Sequence, residues 1–211
     1  SSDVCSSDLV RPFPDGKTKR LDEFKANNFV AIGWPNIGNL AGKSREDIKK
    51  ILSGNPYNYS GLVLGNAYAT IDILVNRMEK GDYLLIPDGD DIYFAVVDSD
   101  YVFDKNVDNK ADGYPHQRKV KNFTASHLRS ELSKALRSSL KVHRTTADLS
   151  KHYDEIKALA DGGIFTSVID DVEVSYNLRP DYTVSFSVPS DITKTEAKRL
   201  SMYFESLYFE E

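Results

Sequence analysis

Residues 81–104 read GDYLLIPDGDDIYFAVVDSDYVFD, and the fold turns on how this stretch pairs with itself. The runs YLLIP and IYFAVV are apolar and rich in strand formers, and DGDD between them is turn chemistry. Two strands joined by so tight a turn lie antiparallel, because a parallel pair needs a crossover of a dozen residues or more. Working outward, NFVAIGW (28–34) is a compact apolar run stopped by Pro35 and reads as a buried strand. HQRKVKNF (116–123) alternates as another strand with its basic residues on one side, and LKVHRTT (140–146) reads as the last strand of the sheet. Ser44 with Asp47 three residues on resembles a capping box opening a helix to about Leu52. Leu64, Ala67, Ile71, Leu74, Val75 and Met78 follow helical spacing, and further helices are expected at about 125–138 and within 147–163, where Gly162 and Gly163 stop the helix. About five strands interrupted by helices in this order do not suit a parallel βαβ fold. The expected class is α+β: a small, partly open β-barrel decorated by helices.

The two ends differ from this middle. SSDVCSSDL (1–9) resembles an in-frame translation of a common sequencing adapter, so it is expected to be a non-native scar outside the fold, with the natural chain running from residue 10. Cys5, the only cysteine, lies inside it, which leaves no disulfide, thiolate metal site or cysteine nucleophile and fits a cytoplasmic protein. At the other end, VEVSYNLRPDYTVSFSVP (172–189) offers two alternating runs with RPDY as a hairpin turn, followed by a helix that Thr193 and Glu196 cap. Ala197, Leu200, Phe204, Leu207 and Tyr208 form the apolar stripe of that helix. The expected division is a first domain over 10–162 and a C-terminal strand–strand–helix module over 163–211, whose stripe must cover its own hairpin, the main domain or a partner.

A net charge of −5 and a pI near 5.4 give no general attraction to nucleic acid or to an anionic membrane, and no apolar run is long enough to cross a bilayer. The distribution is more telling. Residues 105–144 hold ten Lys or Arg against Asp108, Asp112 and Glu131, a local charge of +7. Such a stripe is either a solvated surface or a track for a phosphate backbone.

Little in the chain points to catalysis. GWPNIGNLAGKS (33–44) ends like a phosphate-binding loop, but Gly38 and Gly42 enclose three residues where that loop needs four. His116, His127, His143 and His152 are not spaced as metal ligands, and no nucleophile elbow is present. Pro14-Asp15 with Glu23-Phe24-Lys25 matches a nuclease carboxylate pattern only superficially, since its second half reads as helix. No enzymatic activity, metal or cofactor is expected. Trp34, the only tryptophan, stands where a strand ends against Pro35 and Asn36. A flat ring beside an amide suits a site that stacks on a base and reads its edge, and it equally suits a plug for a barrel end. Tyr101 and Phe103, two apart, share one face of a strand.

FVAIGWPNIGNL (29–40), GDYLLIP (81–87), IYFAVVDSDYVF (92–103) and YPHQRKVKNF (114–123), in this order, resemble the PUA-like/EVE-like modules of prokaryotic restriction and defence proteins. The likeness spans about 20–145 and departs from the family's usual pattern at Ala95-Val96 and Asn122-Phe123. It implies a small β-barrel, a non-catalytic nucleic-acid binder that reads a modified or flipped base of DNA or RNA. Carried onto this chain, it implies Trp34 and Asn36 at the pocket rim or floor, Tyr101 as a wall, Arg118 with Lys119 or Lys121 on phosphate, and His116 positioning the loop or reaching the nucleic acid. The alternative is a protein-interaction adaptor acting through the C-terminal module, with a vestigial pocket.

Overall fold

A computed structural model describes residues 6–165, 171–190 and 192–207. The chain divides into two compact units after Phe165.

The first unit is a mixed α+β domain with a curled, half-barrel sheet. In chain order it holds β1 (Ser7–Val10), α1 (Leu21–Asn27), β2 (Phe29–Ile32), α2 (Arg45–Ser53) and α3 (Gly61–Asp72). There follow β3 (Tyr83–Asp88), β4 (Asp91–Val97), β5 (Val102–Phe103), β6 (His116–Lys121), β7 (His127–Leu128), α4 (Lys134–Ser139), β8 (Thr146–Asp148) and α5 (Tyr153–Ala160). The strands lie in the order β2-β6-β4-β3-β1-β8, with β5 added to β6 and β7 to β4. The expected hairpin is at its centre: Asp88 pairs with Asp91, and Gly89 takes the left-handed backbone of the turn.

Alternation along these strands sorts the core into two layers. Ile92 and Phe94 face Leu9, Leu85 and the helices α4 and α5, whereas Ala95, Val97, Leu84 and Ile86 face α1, α2 and α3. The capping box at Ser44 and Asp47 opens α2, and each side chain bonds the other's backbone N–H. The long helical stripe is also present, but it changes pitch. After Asp72 it widens into one π-helical turn, Ile73–Arg77, closed by the Met78 N–H on the Ile73 carbonyl at 2.9 Å.

Four expectations are corrected. Residues 7–9 do not stand outside the fold: β1 pairs parallel with β3 and antiparallel with β8, and Ser7, Asp8 and Leu9 are all buried. The segment 125–138 is not one helix. His127 and Leu128 pair with β4, and Ser133 accepts the Leu136 N–H to start α4 only at Lys134. The last strand does not begin at Leu140. The Arg11 guanidinium gathers the carbonyls of Leu140, Val142 and Arg144 at 2.7, 3.0 and 3.2 Å, which turns this segment toward one side chain, and strand pairing starts at Thr146. Finally, the cations of β6 do not share a side: Arg118 lies with His116 and Val120 on the buried face, opposite the exposed Lys119 and Lys121.

In the second unit, β9 (Asp171–Arg179) and β10 (Tyr182–Pro189) pair antiparallel about Pro180 and Asp181, followed by α6 (Lys194–Ser206) with the Thr193–Glu196 capping box. The Phe204 ring meets Phe186 with centroids 5.5 Å apart. Tyr208, expected in the helix stripe, lies outside the described residues.

Candidate functional site

β2 ends at Ile32 because Gly33 runs against another segment. Its N–H donates to the Pro14 carbonyl at 2.9 Å, and a Cβ there would sit 2.6 Å from that oxygen. The chain then turns sharply, with Trp34 at φ 60° and Asn36 at φ 64°, conformations uncommon outside glycine and notable for a bulky ring.

A buried relay holds Trp34 in place. His116 is fully buried, and its Nε2 lies 3.2 Å from the Trp34 carbonyl while its Nδ1 lies 2.7 Å from the Tyr101 hydroxyl. A carbonyl only accepts, which assigns the proton to Nε2 and leaves Nδ1 to accept from Tyr101. The Tyr101 oxygen in turn accepts the Leu40 N–H at 3.3 Å. Burial pulls the His116 imidazole down to about 4 and pushes the Tyr101 hydroxyl up to about 12, so both are neutral at physiological pH and the relay does not titrate there. From outside, the Tyr57 hydroxyl donates to the Pro35 carbonyl at 2.9 Å, and the Asn36 N–H donates to Asp108 Oδ1 at 2.5 Å.

The result is a pocket of about 320 Å³ walled by Trp34, Tyr57 and Tyr59, with Asp15, Lys110 and Thr145 on its lining. The two tyrosine rings stand 5.2 Å apart at 52°. The volume sits at the small end of the range for ligand sites, suited to one flat ring rather than to a whole dinucleotide.

The remaining expected site residues are dispersed. Tyr101 and Arg118 face a second cleft of about 550 Å³, beside Gly42, Asn76 and Lys80. Arg118 is 4% exposed, and its Nε, Nη2 and Nη1 donate to the carbonyls of Leu74, Val75 and Ser99 at 2.7, 2.9 and 3.1 Å. The first two belong to the π-helical turn, so the guanidinium caps carbonyls that a helix end leaves unpaired. Lys121 pairs with Asp98 at 2.7 Å, and Lys119 lies over the Phe29 ring at 5.6 Å. The exposed Asn36 fixes the loop through its backbone.

Tyr57, Tyr59 and Lys110 were not expected from the sequence. The signal was the aromatic pair in GNPYNYSG, a stretch otherwise polar enough to read as plain loop. Among the described residues, no group of three His, Cys, Asp or Glu could hold a metal ion, and no helix is long and apolar enough to cross a membrane.

The domain is thus a curled sheet clad in helices, with an aromatic pocket where its edge strand ends. A family model described as a domain of unknown function (DUF8426) matches residues 13–147, more than half of the chain, and the chain belongs to that family. All the pocket residues named above fall within the match. No curated protein and no solved structure matches the chain.

Proposed function

We propose that this protein is a non-catalytic nucleic-acid reader that takes one extruded or single-stranded base, modified or plain, between Trp34, Tyr57 and Tyr59. The observation that carries the reading is the pocket itself: three aromatic side chains around a space for one flat ring, with the Trp34 backbone held by His116, the Tyr57 hydroxyl held by the Pro35 carbonyl and Tyr59 against the Tyr57 ring. Stacking on such side chains is worth about 1–3 kcal/mol per base and is tolerant of base identity. The resemblance of 29–40, 81–87, 92–103 and 114–123 to PUA-like/EVE-like modules supports the same reading and places it in a restriction or defence setting, with DNA or RNA as partner. The curled sheet is compatible with that family's barrel.

Trp34 is the only tryptophan, so its fluorescence reports on the pocket alone. Titration with single-stranded and duplex oligonucleotides carrying plain, methylated and hydroxymethylated bases is expected to quench it saturably. Tyr59→Ala is expected to weaken binding about 5- to 100-fold, the loss of one stacking contact. A flat trace together with no mobility shift at low salt defeats the reading.

One observation favours a second role, protein interaction through the C-terminal unit. Val172, Tyr176 and Leu178 share a face of β9, and they remain 47%, 67% and 58% exposed. If that role is the only one, the flat fluorescence trace is its expected outcome.

A further inference from the structure

We propose that a third cleft, lined by the residue next to one that lines the aromatic pocket, binds a phosphate group through Arg144, Lys151 and Arg77. The cleft encloses about 460 Å³ between α3 with its π-helical turn, the end of α4 and the strand β8. Two carboxylates line it, and both are already engaged. Asp72 Oδ1 accepts from the Tyr68 hydroxyl and from Asn76 Nδ2, each at 2.9 Å. Asp148 holds Arg77 through Oδ2 at 2.5 Å and the Ser150 N–H through Oδ1 at 2.9 Å. Arg144 and Lys151 have no carboxylate partner among the described residues, and both face this cleft. The Tyr68 ring on the same wall carries Arg45 and Lys49 at 5.3 and 5.4 Å. A guanidinium and an ammonium without anions, converging on a concave wall beside a third cation, are matched by the oxygens of a phosphate. The wall also includes the π-helical turn, a distortion that occurs frequently at functional sites.

The position of the cleft says which phosphate. Arg144 lines it while the next residue, Thr145, lines the aromatic pocket, so consecutive residues of one segment reach both cavities. That segment is held firmly: the Arg11 N–H donates to the Thr145 carbonyl at 2.8 Å and its Nε to the Arg144 carbonyl at 3.2 Å. Resting on the base-reading proposal, the cleft then holds a backbone phosphate of the strand whose base is stacked, the role that the family resemblance implies for Arg118, whose guanidinium is turned to the carbonyls of Leu74, Val75 and Ser99.

The test compares the full chain with an Arg144→Gln/Lys151→Gln variant, using inorganic phosphate, dAMP and a short oligothymidylate as probes. Calorimetry reports phosphate binding, and Trp34 fluorescence reports the base pocket. The expected result is at least a tenfold loss of oligothymidylate affinity in the variant. Its salt slope should fall by about 0.7, the value for one phosphate of a single strand no longer neutralised, while quenching at saturation and the unfolding midpoint stay unchanged. An unchanged affinity and slope overturn the proposal, as does an absence of phosphate-dependent heat with all three probes. Variant-sensitive binding of inorganic phosphate without any response to the oligothymidylate keeps the cleft but assigns it to a free phosphate. Variant-sensitive binding of phosphate-bearing probes with a silent Trp34 keeps the cleft and defeats the base-reading proposal instead.

Discussion

β6 and β1 each carry a charged side chain into the interior of the same sheet, and the two are treated in opposite ways. Arg118 on β6 meets three carbonyls, two of them at the negative end of a helix. Asp8 on β1 is equally buried, at 4% exposure, and meets other carboxylates. Burial raises its carboxyl most, Asp148 and Asp82 raise it further, and Arg77 only partly opposes them, so it is pushed up to about 7. The difference teaches that the cost of burying a charge depends on what surrounds it: the same sheet accommodates a cation by aiming carbonyls at it, and disfavours the charged form of a carboxyl that finds none of these partners, raising its proton affinity.

The comparison can be broken most forcefully at Arg118. Arg118→Met leaves the carbonyls of Leu74, Val75 and Ser99 without donors, and urea unfolding is expected to show a loss of about 3–5 kcal/mol. Arg118→Lys is expected to recover little of it, because one ammonium cannot replace the planar fork. Next is Asp8→Asn, expected to stabilise the protein by about 2–4 kcal/mol at pH 8, since each tenfold change in proton affinity is worth about 1.4 kcal/mol. The sign follows from the folded pKa lying above the ordinary 3.8. The parent keeps its full stability below about pH 4 and loses it as pH rises through about 7, where the variant stays flat over that window. Parallel pH curves for the two proteins would show that Asp8 is not the group responsible. A smaller effect is expected at the relay: Tyr101→Phe leaves His116 Nδ1 and the Leu40 N–H unpaired, costing about 1–2 kcal/mol in thermal unfolding. The smallest belongs to Lys121→Ala. This is a half-exposed cation paired with Asp98 on the same strand as Arg118, and its loss should cost under about 0.5 kcal/mol.

The legible parts of the fold are those whose cause is local. The hairpin at 81–97, the capping boxes at Ser44 and Thr193 and the apolar face from Leu64 to Met78 all arise between residues close in sequence. β1 was hidden by its likeness to a sequencing adapter, although Leu9 and Val10 are ordinary strand material at its end. A buried carboxylate without a compensating cation is also what a stretch not shaped for this position would bring. The inward turn of Arg118 was readable in principle, since it shares the parity of the apolar Val120, but counting cations along β6 obscured it. The pocket was half legible. Trp34 announces itself by rarity, whereas Tyr57 and Tyr59 reach it only because the Tyr57 hydroxyl finds the Pro35 carbonyl across 22 residues, a contact no local pattern encodes.

The position of β1 has a consequence for the order in which the molecule assembles. Leu9 pairs with Leu85 on one side and with Ala147 on the other. β1 precedes both of its partners in the chain, and at ordinary rates of translation Leu9 waits roughly 7–30 s for Ala147 to be made. The β3 edge is made earlier, with Tyr83–Leu85, so only the β8 side of Leu9 waits through the whole interval. The growing chain thus completes this end of the sheet, where β1 lies next to the edge strand β8, only when both flanking strands have been made.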